Sequence, residues 1–214
     1  RGCTAFPQVF KKGQWIGNPL RTAFLQQAGP AERFARRSGP LRLLVVGGSL
    51  GARALNELVP QALALIPAQQ RPVVTHQSGA AQLDALRANY AAAGVEATLT
   101  AFIDDTASAF AEADLIVCRA GASTVTEIAA VGAAALFVPF PSAVDDHQTR
   151  DAEFLVQAGA GWLVPQRELS FQKLAEMLQN TERPALLERA LKAKNMQKIH
   201  ATDAVVTACE ELAA

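Results

Sequence analysis

From position 41 onward the chain alternates short apolar runs with longer stretches of helical periodicity, and each run closes on glycine or a polar turn. The runs at 41–46, 73–76, 95–101, 115–118, 134–140 and 162–164 read as strands, and the clearest helical patterns fall at 82–93, 124–131 and 147–158. Several runs are nearly continuous Val, Leu, Ile and Phe, the composition that burial on both faces of a sheet requires. The rhythm therefore predicts an α/β fold, a doubly wound parallel sheet. Such sheets bind ligands at the carboxyl ends of their strands, in the crevice where strand order reverses. After position 164 the pattern becomes helix upon helix, at 171–178, 184–194 and 202–212, expected to wrap or close the domain. Before position 41, Phe6-Pro7, Gly17-Asn18-Pro19 and Gly39-Pro40 punctuate a segment of little periodicity, as an interdomain linker would.

Charge and composition narrow the partners. The 214 residues carry 20 Lys and Arg against 20 Asp and Glu, scattered rather than gathered into a basic stripe, which argues against nucleic acid. The longest apolar stretch, 128–141, is broken by Gly132 and Pro139 and falls short of the ~20 residues a membrane span needs. Cys3, Cys118 and Cys209 are odd in number and far apart, so no disulfide framework is indicated and a reducing, cytoplasmic setting is expected. His76, His147 and His200 are too dispersed for a helix-borne metal site. The chain opens Arg1-Gly2-Cys3-Thr4, without an initiator Met or a leader, and is expected to be a fragment.

Two glycine turns stand where chemistry is expected. Gly47-Gly48-Ser49-Leu50-Gly51-Ala52-Arg53 follows the first strand and opens a helix, so positive φ and free N–H groups would favour an anion, a phosphate above all. The segment lacks the G-x-G-x-x-G spacing of nicotinamide sites and the Lys of a P-loop. It does satisfy G-x-S-x-G, so an α/β-hydrolase with Ser49 as nucleophile, Asp114 and His147 is a rival reading. The second turn, Arg119-Ala120-Gly121-Ala122-Ser123-Thr124, also passes from strand to helix. Here Glu127 has two readings: it completes a capping box with Thr124, or its carboxylate accepts both hydroxyls of a ribose while the amides of residues 123–126 face phosphate. A nucleotide would unite both turns.

A third loop, Pro139-Phe140-Pro141-Ser142-Ala143-Val144-Asp145-Asp146-His147-Gln148, enters another helix. Asp145 or Asp146 with Gln148 would cap it, while His147 and Gln148 offer donors suited to sugar hydroxyls or a diphosphate. Arg21 follows Gly17-Asn18-Pro19-Leu20 at a hinge-like position from which a guanidinium could reach a phosphate. Phe102-Ile103-Asp104-Asp105 and His76-Gln77-Ser78-Gly79 mark two further strand ends, either of which is also consistent with plain core and turn residues.

Taken together and in this order, these motifs resemble the N-acetylglucosaminyltransferases of peptidoglycan synthesis, the MurG family of GT-B glycosyltransferases. The resemblance implies that the chain is the C-terminal, Rossmann-like half of a two-domain enzyme. Residues 1–22 would then be the remnant of the N-terminal domain and linker, and 23–214 the UDP-sugar-binding domain. It further implies that Arg21 and Ser49 lie near the diphosphate, that the backbone of Ile103 recognises uracil, and that Ala122, Ser123, Thr124, Val125, Thr126 and Glu127 hold diphosphate and ribose, with Glu127 on the ribose hydroxyls. Gln148, helped by His147, would take the sugar. The family usually carries Asn where this chain has Asp151.

The complete enzyme, by the same resemblance, is a hexosyltransferase that uses UDP-N-acetylglucosamine as donor, requires no cofactor or metal, and converts lipid I to lipid II with inversion. Its glycine-rich Gly-Gly-Thr-Gly-Gly-His loop, presumed base and membrane-associated acceptor site belong to the N-terminal domain. That loop is not in this sequence. No catalytic residue is therefore expected in this chain, which would bind donor without transferring it, and membrane association at the cytoplasmic face of the inner membrane would come from the other half. A noncatalytic nucleotide-binding module remains a third reading.

Overall fold

The computed structural model describes residues 2–7, 9, 13–48, 52–141 and 147–213. Strands β1 (Gly2–Thr4) and β2 (Gly13–Trp15) pair in parallel apart from the main sheet. Two short helices follow, α1 (Thr22–Leu25) and α2 (Pro30–Ala35). The main sheet is built from β3 (Arg42–Val46), β4 (Val73–Gln77), β5 (Thr98–Thr100), β6 (Leu115–Cys118), β7 (Ala134–Phe137) and β8 (Gly161–Leu163). All five pairings are parallel, in the order β5-β4-β3-β6-β7-β8. Counted from β3 this is the 3-2-1-4-5-6 order of a doubly wound sheet, and the order reverses between β3 and β6.

The strands form because both faces are covered. Every residue of β6 and β7 is buried. On one face, Leu43, Val45 and Val74 meet Leu55, Val59 and Leu63 of α3 (Arg53–Ala64), Leu86 and Tyr90 of α4 (Leu83–Ala93), and Leu174 and Leu178 of α8 (Phe171–Gln179). On the other, Leu44, Ile116 and Phe137 meet Phe110 of α5 (Thr106–Glu112), Ile128 of α6 (Ala122–Val131) and Leu155 of α7 (His147–Val156). The long helix α9 (Arg183–Asn195) serves both cores, giving Leu186 and Ala190 to the first and Ala193 to the second. The last helix, α10 (Ala201–Ala213), buries only Ala201.

The sequence expectation overextends two strands and misses several elements. The apolar run 134–140 pairs only as far as Phe137, since Pro139 has no N–H to donate to a ladder. The run 95–101 pairs only at Thr98–Thr100. The segment before position 41 is not featureless: Phe24 is fully buried, Phe34 nearly so, and the Phe6 and Trp15 rings stand edge-on to Phe154 at 5.4 and 5.6 Å. From α2, Arg33 donates to the carbonyls of Val131 at 2.9 Å and Gly132 at 2.6 Å, meeting the C-terminal end of α6 with a cation. Gly132 ends that helix at φ +71°, where a Cβ would stand 2.7 Å from Pro30 Cγ. The early segment thus fixes one end of α6 and leaves the other facing the crevice.

Candidate functional site

The crevice at the switch point begins where β3 and β6 finish side by side, with Val46 opposite Cys118. Beyond Val46 the chain turns through Gly47 and Gly48, and Gly48 takes φ +82°, a conformation open to glycine. Gln77, at the end of β4, holds this turn. Its backbone carbonyl accepts from Gly47 N–H at 3.2 Å, its Oε1 accepts from Gly48 N–H at 3.1 Å, and its Nε2 donates to the Gly48 carbonyl at 3.0 Å. The sequence marks His76-Gln77-Ser78-Gly79 as a strand-end turn but shows no role for Gln77. Ser49, the expected diphosphate contact, lies outside the described residues, as do Asp145 and Asp146. Helix α3 starts after Ala52, whose own side chain offers no cap.

On the β6 side, α6 begins at Ala122 with Gly121 as its N-cap, a residue with no side chain to cap it. Thr124 therefore lies inside the first turn, and the expected capping box with Glu127 is not made; Glu127 stands in the second turn, so the capping explanation for it fails. The helix start presents the amides of Ala122, Ser123 and Thr124. The Val125 N–H is committed to the Gly121 carbonyl at 3.0 Å and its side chain is fully buried. Thr126 is buried too, its hydroxyl donating back to the helix carbonyls of Ala122 and Ser123, each at 2.9 Å, and accepting from Asn18 Nδ2 at 3.4 Å. Of the 122–126 run, the first three residues carry the anion-ready character.

Two remote segments converge beside α6. The Arg21 guanidinium lies 3.9 Å from Glu127 Oε1 and over the Phe24 ring at 5.0 Å. Burial pushes the Glu127 carboxyl above its ordinary range, and the charge of Arg21 works against that shift. The same arginine helps depress Asp105, whose larger stabilisation comes from Ser108, with its N–H at 3.0 Å and its hydroxyl at 2.6 Å. Ile103 is half-buried against the second core, and its carbonyl accepts from the Thr106 hydroxyl at 3.3 Å. Arg21, Glu127 and the 103–105 loop, read separately from sequence, thus form one rim.

The opposite rim is α7. Gln148 Oε1 accepts from Phe140 N–H at 2.9 Å and Ala120 N–H at 3.4 Å, tying the proline loop to the glycine turn after β6. Its oxygen is thereby engaged by backbone, and its Nε2 is the group suited to donate to a hydroxyl. His147 is exposed at the helix start. Asp151, one turn on, is raised by burial and lowered by the nearby His147.

The hydrolase triad is not assembled. Asp114 precedes β6, and its N–H bonds the carbonyl of Arg42, the first residue of β3, so it stands at the amino-terminal edge of the sheet, opposite the glycine turn and His147. It is fully buried and paired with Arg37 at 2.8 Å and Arg183 at 3.2 Å. Among the described residues no group of three or more His, Cys, Asp or Glu side chains could hold a metal ion, and no helix is long and apolar enough to cross a membrane.

The model of the glycosyltransferase family 28 C-terminal domain matches residues 42–206. The UDP-N-acetylglucosamine--N-acetylmuramyl-(pentapeptide) pyrophosphoryl-undecaprenol N-acetylglucosamine transferase of Paracidovorax citrulli is 79% identical over 211 residues, covering 99% of this chain and 59% of the relative. The protein of the same name from Polaromonas sp. is 74% identical over 210 residues, covering 98% and 54%. The crystal structure of Acinetobacter baumannii MurG superposes with a TM-score of 0.86 at 40% identity, over 98% of this chain and 59% of that one. A calicheamicin glycosyltransferase shares the fold at TM-score 0.62 and 16% identity, over 96% of this chain and 50% of its own. The chain thus spans less than two thirds of the relatives it matches. With the doubly wound sheet, the two glycine turns at its switch point and a family model spanning most of its length, the chain belongs to the glycosyltransferase family 28 C-terminal domain family.

Proposed function

We propose that this chain is the donor-binding half of an inverting hexosyltransferase, that its crevice takes UDP-N-acetylglucosamine, and that the longer protein converts lipid I to lipid II. Residues 23–214 form the donor domain in this reading, and 1–22 lead in from the acceptor half. The observation that carries it is the convergence of a glycine-led α6 start with Glu127 and Arg21 beside the crevice between β3 and β6. The α6 amides would stabilise charge on the departing UDP, a role a helix start fills without a metal. Glu127 would accept the ribose hydroxyls, the 103–105 loop would meet the base, and Gln148 with His147 would meet the sugar. Ser49 is proposed at the diphosphate from the sequence resemblance alone. The base and lipid acceptor site would come from the other half, as would contact with the cytoplasmic face of the membrane.

Calorimetry tests this directly. The folded chain is expected to bind UDP and UDP-N-acetylglucosamine at one site and to transfer nothing to lipid I. A folded sample that takes up no UDP, or transfer by this chain alone, overturns the reading. Glu127→Ala is expected to weaken UDP about tenfold or more, the loss of one or two hydrogen bonds to a charged acceptor. It should weaken 2′-deoxy-UDP less, and equal losses would show that Glu127 does not read the ribose. Joining the chain to the acceptor half should restore transfer; a joined protein that binds UDP but remains inert would favour a noncatalytic nucleotide-binding module.

A further inference from the structure

We propose that Gln77 is a positioning residue that fixes the glycine turn after β3 and registers it against the base-side segment after β5, an inference that rests on the donor-site reading. Gln77 is buried, and its side-chain amide grips Gly48 at both ends: Oε1 takes the N–H at 3.1 Å and Nε2 donates to the carbonyl at 3.0 Å. The same Nε2 donates at 2.8 Å to the carbonyl of Ala101, the residue just before Phe102 and Ile103. One side chain therefore joins the two loops that the donor-site reading assigns to diphosphate and uracil.

Packing cannot do this work at Gly48. The residue is exposed at φ +82°, and a Cβ built on it would meet nothing within 4 Å. A glycine so free would have to be ordered on binding, and ordering a loop costs affinity unless it is paid in advance. Since the Gly48 N–H is already engaged by Gln77, its part in the turn is to direct the chain toward α3 rather than to touch ligand. Gln77 acts through that turn and is not itself a contact.

Gln77→Met keeps length and approximate volume while removing three hydrogen bonds. The Gly48 groups it frees are exposed, and the Ala101 carbonyl keeps its bond from Gly79 N–H at 3.2 Å, so the fold is expected to survive. The measurement is the affinity of this chain for UDP and for UMP by calorimetry, because the ratio isolates the second phosphate. In Gln77→Met the ratio should fall at least fivefold from wild type. Leu178→Ala, a core truncation on α8, serves as a control for general destabilisation and should keep the wild-type ratio. An unchanged ratio in Gln77→Met, or an equal loss in Leu178→Ala, overturns the inference while leaving the donor site standing. Failure of the wild-type chain to bind UDP would instead overturn the donor-site reading and this inference with it.

Discussion

His76 lies on β4 with no exposed surface, its Nδ1 3.0 Å from the Tyr90 hydroxyl and its Nε2 3.0 Å from Asn56 Oδ1. Asn56 Nδ2 in turn donates to Gln82 Oε1 at 2.8 Å, so the chain of donors is satisfied when Nε2 carries the imidazole proton and Nδ1 accepts from tyrosine. Burial pushes the His76 pKa down to about 3. Between that value and the ordinary value near 6.5 the unfolded chain binds a proton that the folded chain refuses, so this contribution to stability is complete above pH 6.5 and is lost as pH falls. Urea unfolding should show a loss of about 1.6 kcal/mol in all on going from pH 6.5 to 5, the slope approaching about 1.4 kcal/mol per pH unit at the lower end. His76→Gln, which cannot titrate, should be flatter over that range; parallel curves would contradict the assignment. His76 was legible in sequence only as a strand-end histidine, because its partners come from α3 and α4, 20 and 14 residues away.

Helix α3 contains Pro60, which has no N–H for the carbonyl of Asn56 one turn earlier. Asn89 of α4 supplies the missing donor, its Nδ2 3.0 Å from that carbonyl. Removing it would leave a buried acceptor unpaired, so Asn89→Ala should cost about 1–3 kcal/mol in chemical denaturation. In a Pro60→Ala background the helix can make its own bond, and the cost should shrink; strict additivity in the double-mutant cycle would show that the side chain is no substitute for the helix N–H. The elements themselves were legible to different degrees. Runs buried on both faces announced β6 and β7, whereas the four residues of α1, the six of α2 and the seven of alanine-rich α5 are too short to show a helical period. The start of α6 was misread by two residues because Thr124 and Glu127 fit a capping box, while the structure uses Gly121. Within the site, Arg21 and Glu127 were each legible, but not their 3.9 Å proximity, and Gln77 was legible only as part of a strand-end turn because its clamp crosses three strand ends.

At the scale of the molecule, the sheet has a binding edge and a structural edge. Asp114 anchors the latter: its carboxylate meets Arg37, which follows α2, Arg183, which opens α9, and the backbone N–H of Arg42 at 2.8 Å. Asp114→Asn would leave two arginines without their buried counter-charge, and a loss of about 3–5 kcal/mol is expected. Thermal unfolding should therefore shift by roughly 10 °C. The UDP affinity of the protein that remains folded should not change, because the crevice lies at the other edge; weakened binding at a temperature where the variant is folded would contradict this separation. The reversal of strand order has a temporal side as well. Leu43 pairs with Leu115, so β3 is synthesised long before its second neighbour exists. On a growing chain β3, β4 and β5 can pair first, yet one wall of the crevice arrives only with β6 and α6, and a nascent chain halted before them holds half a sheet and no place for a nucleotide to bind.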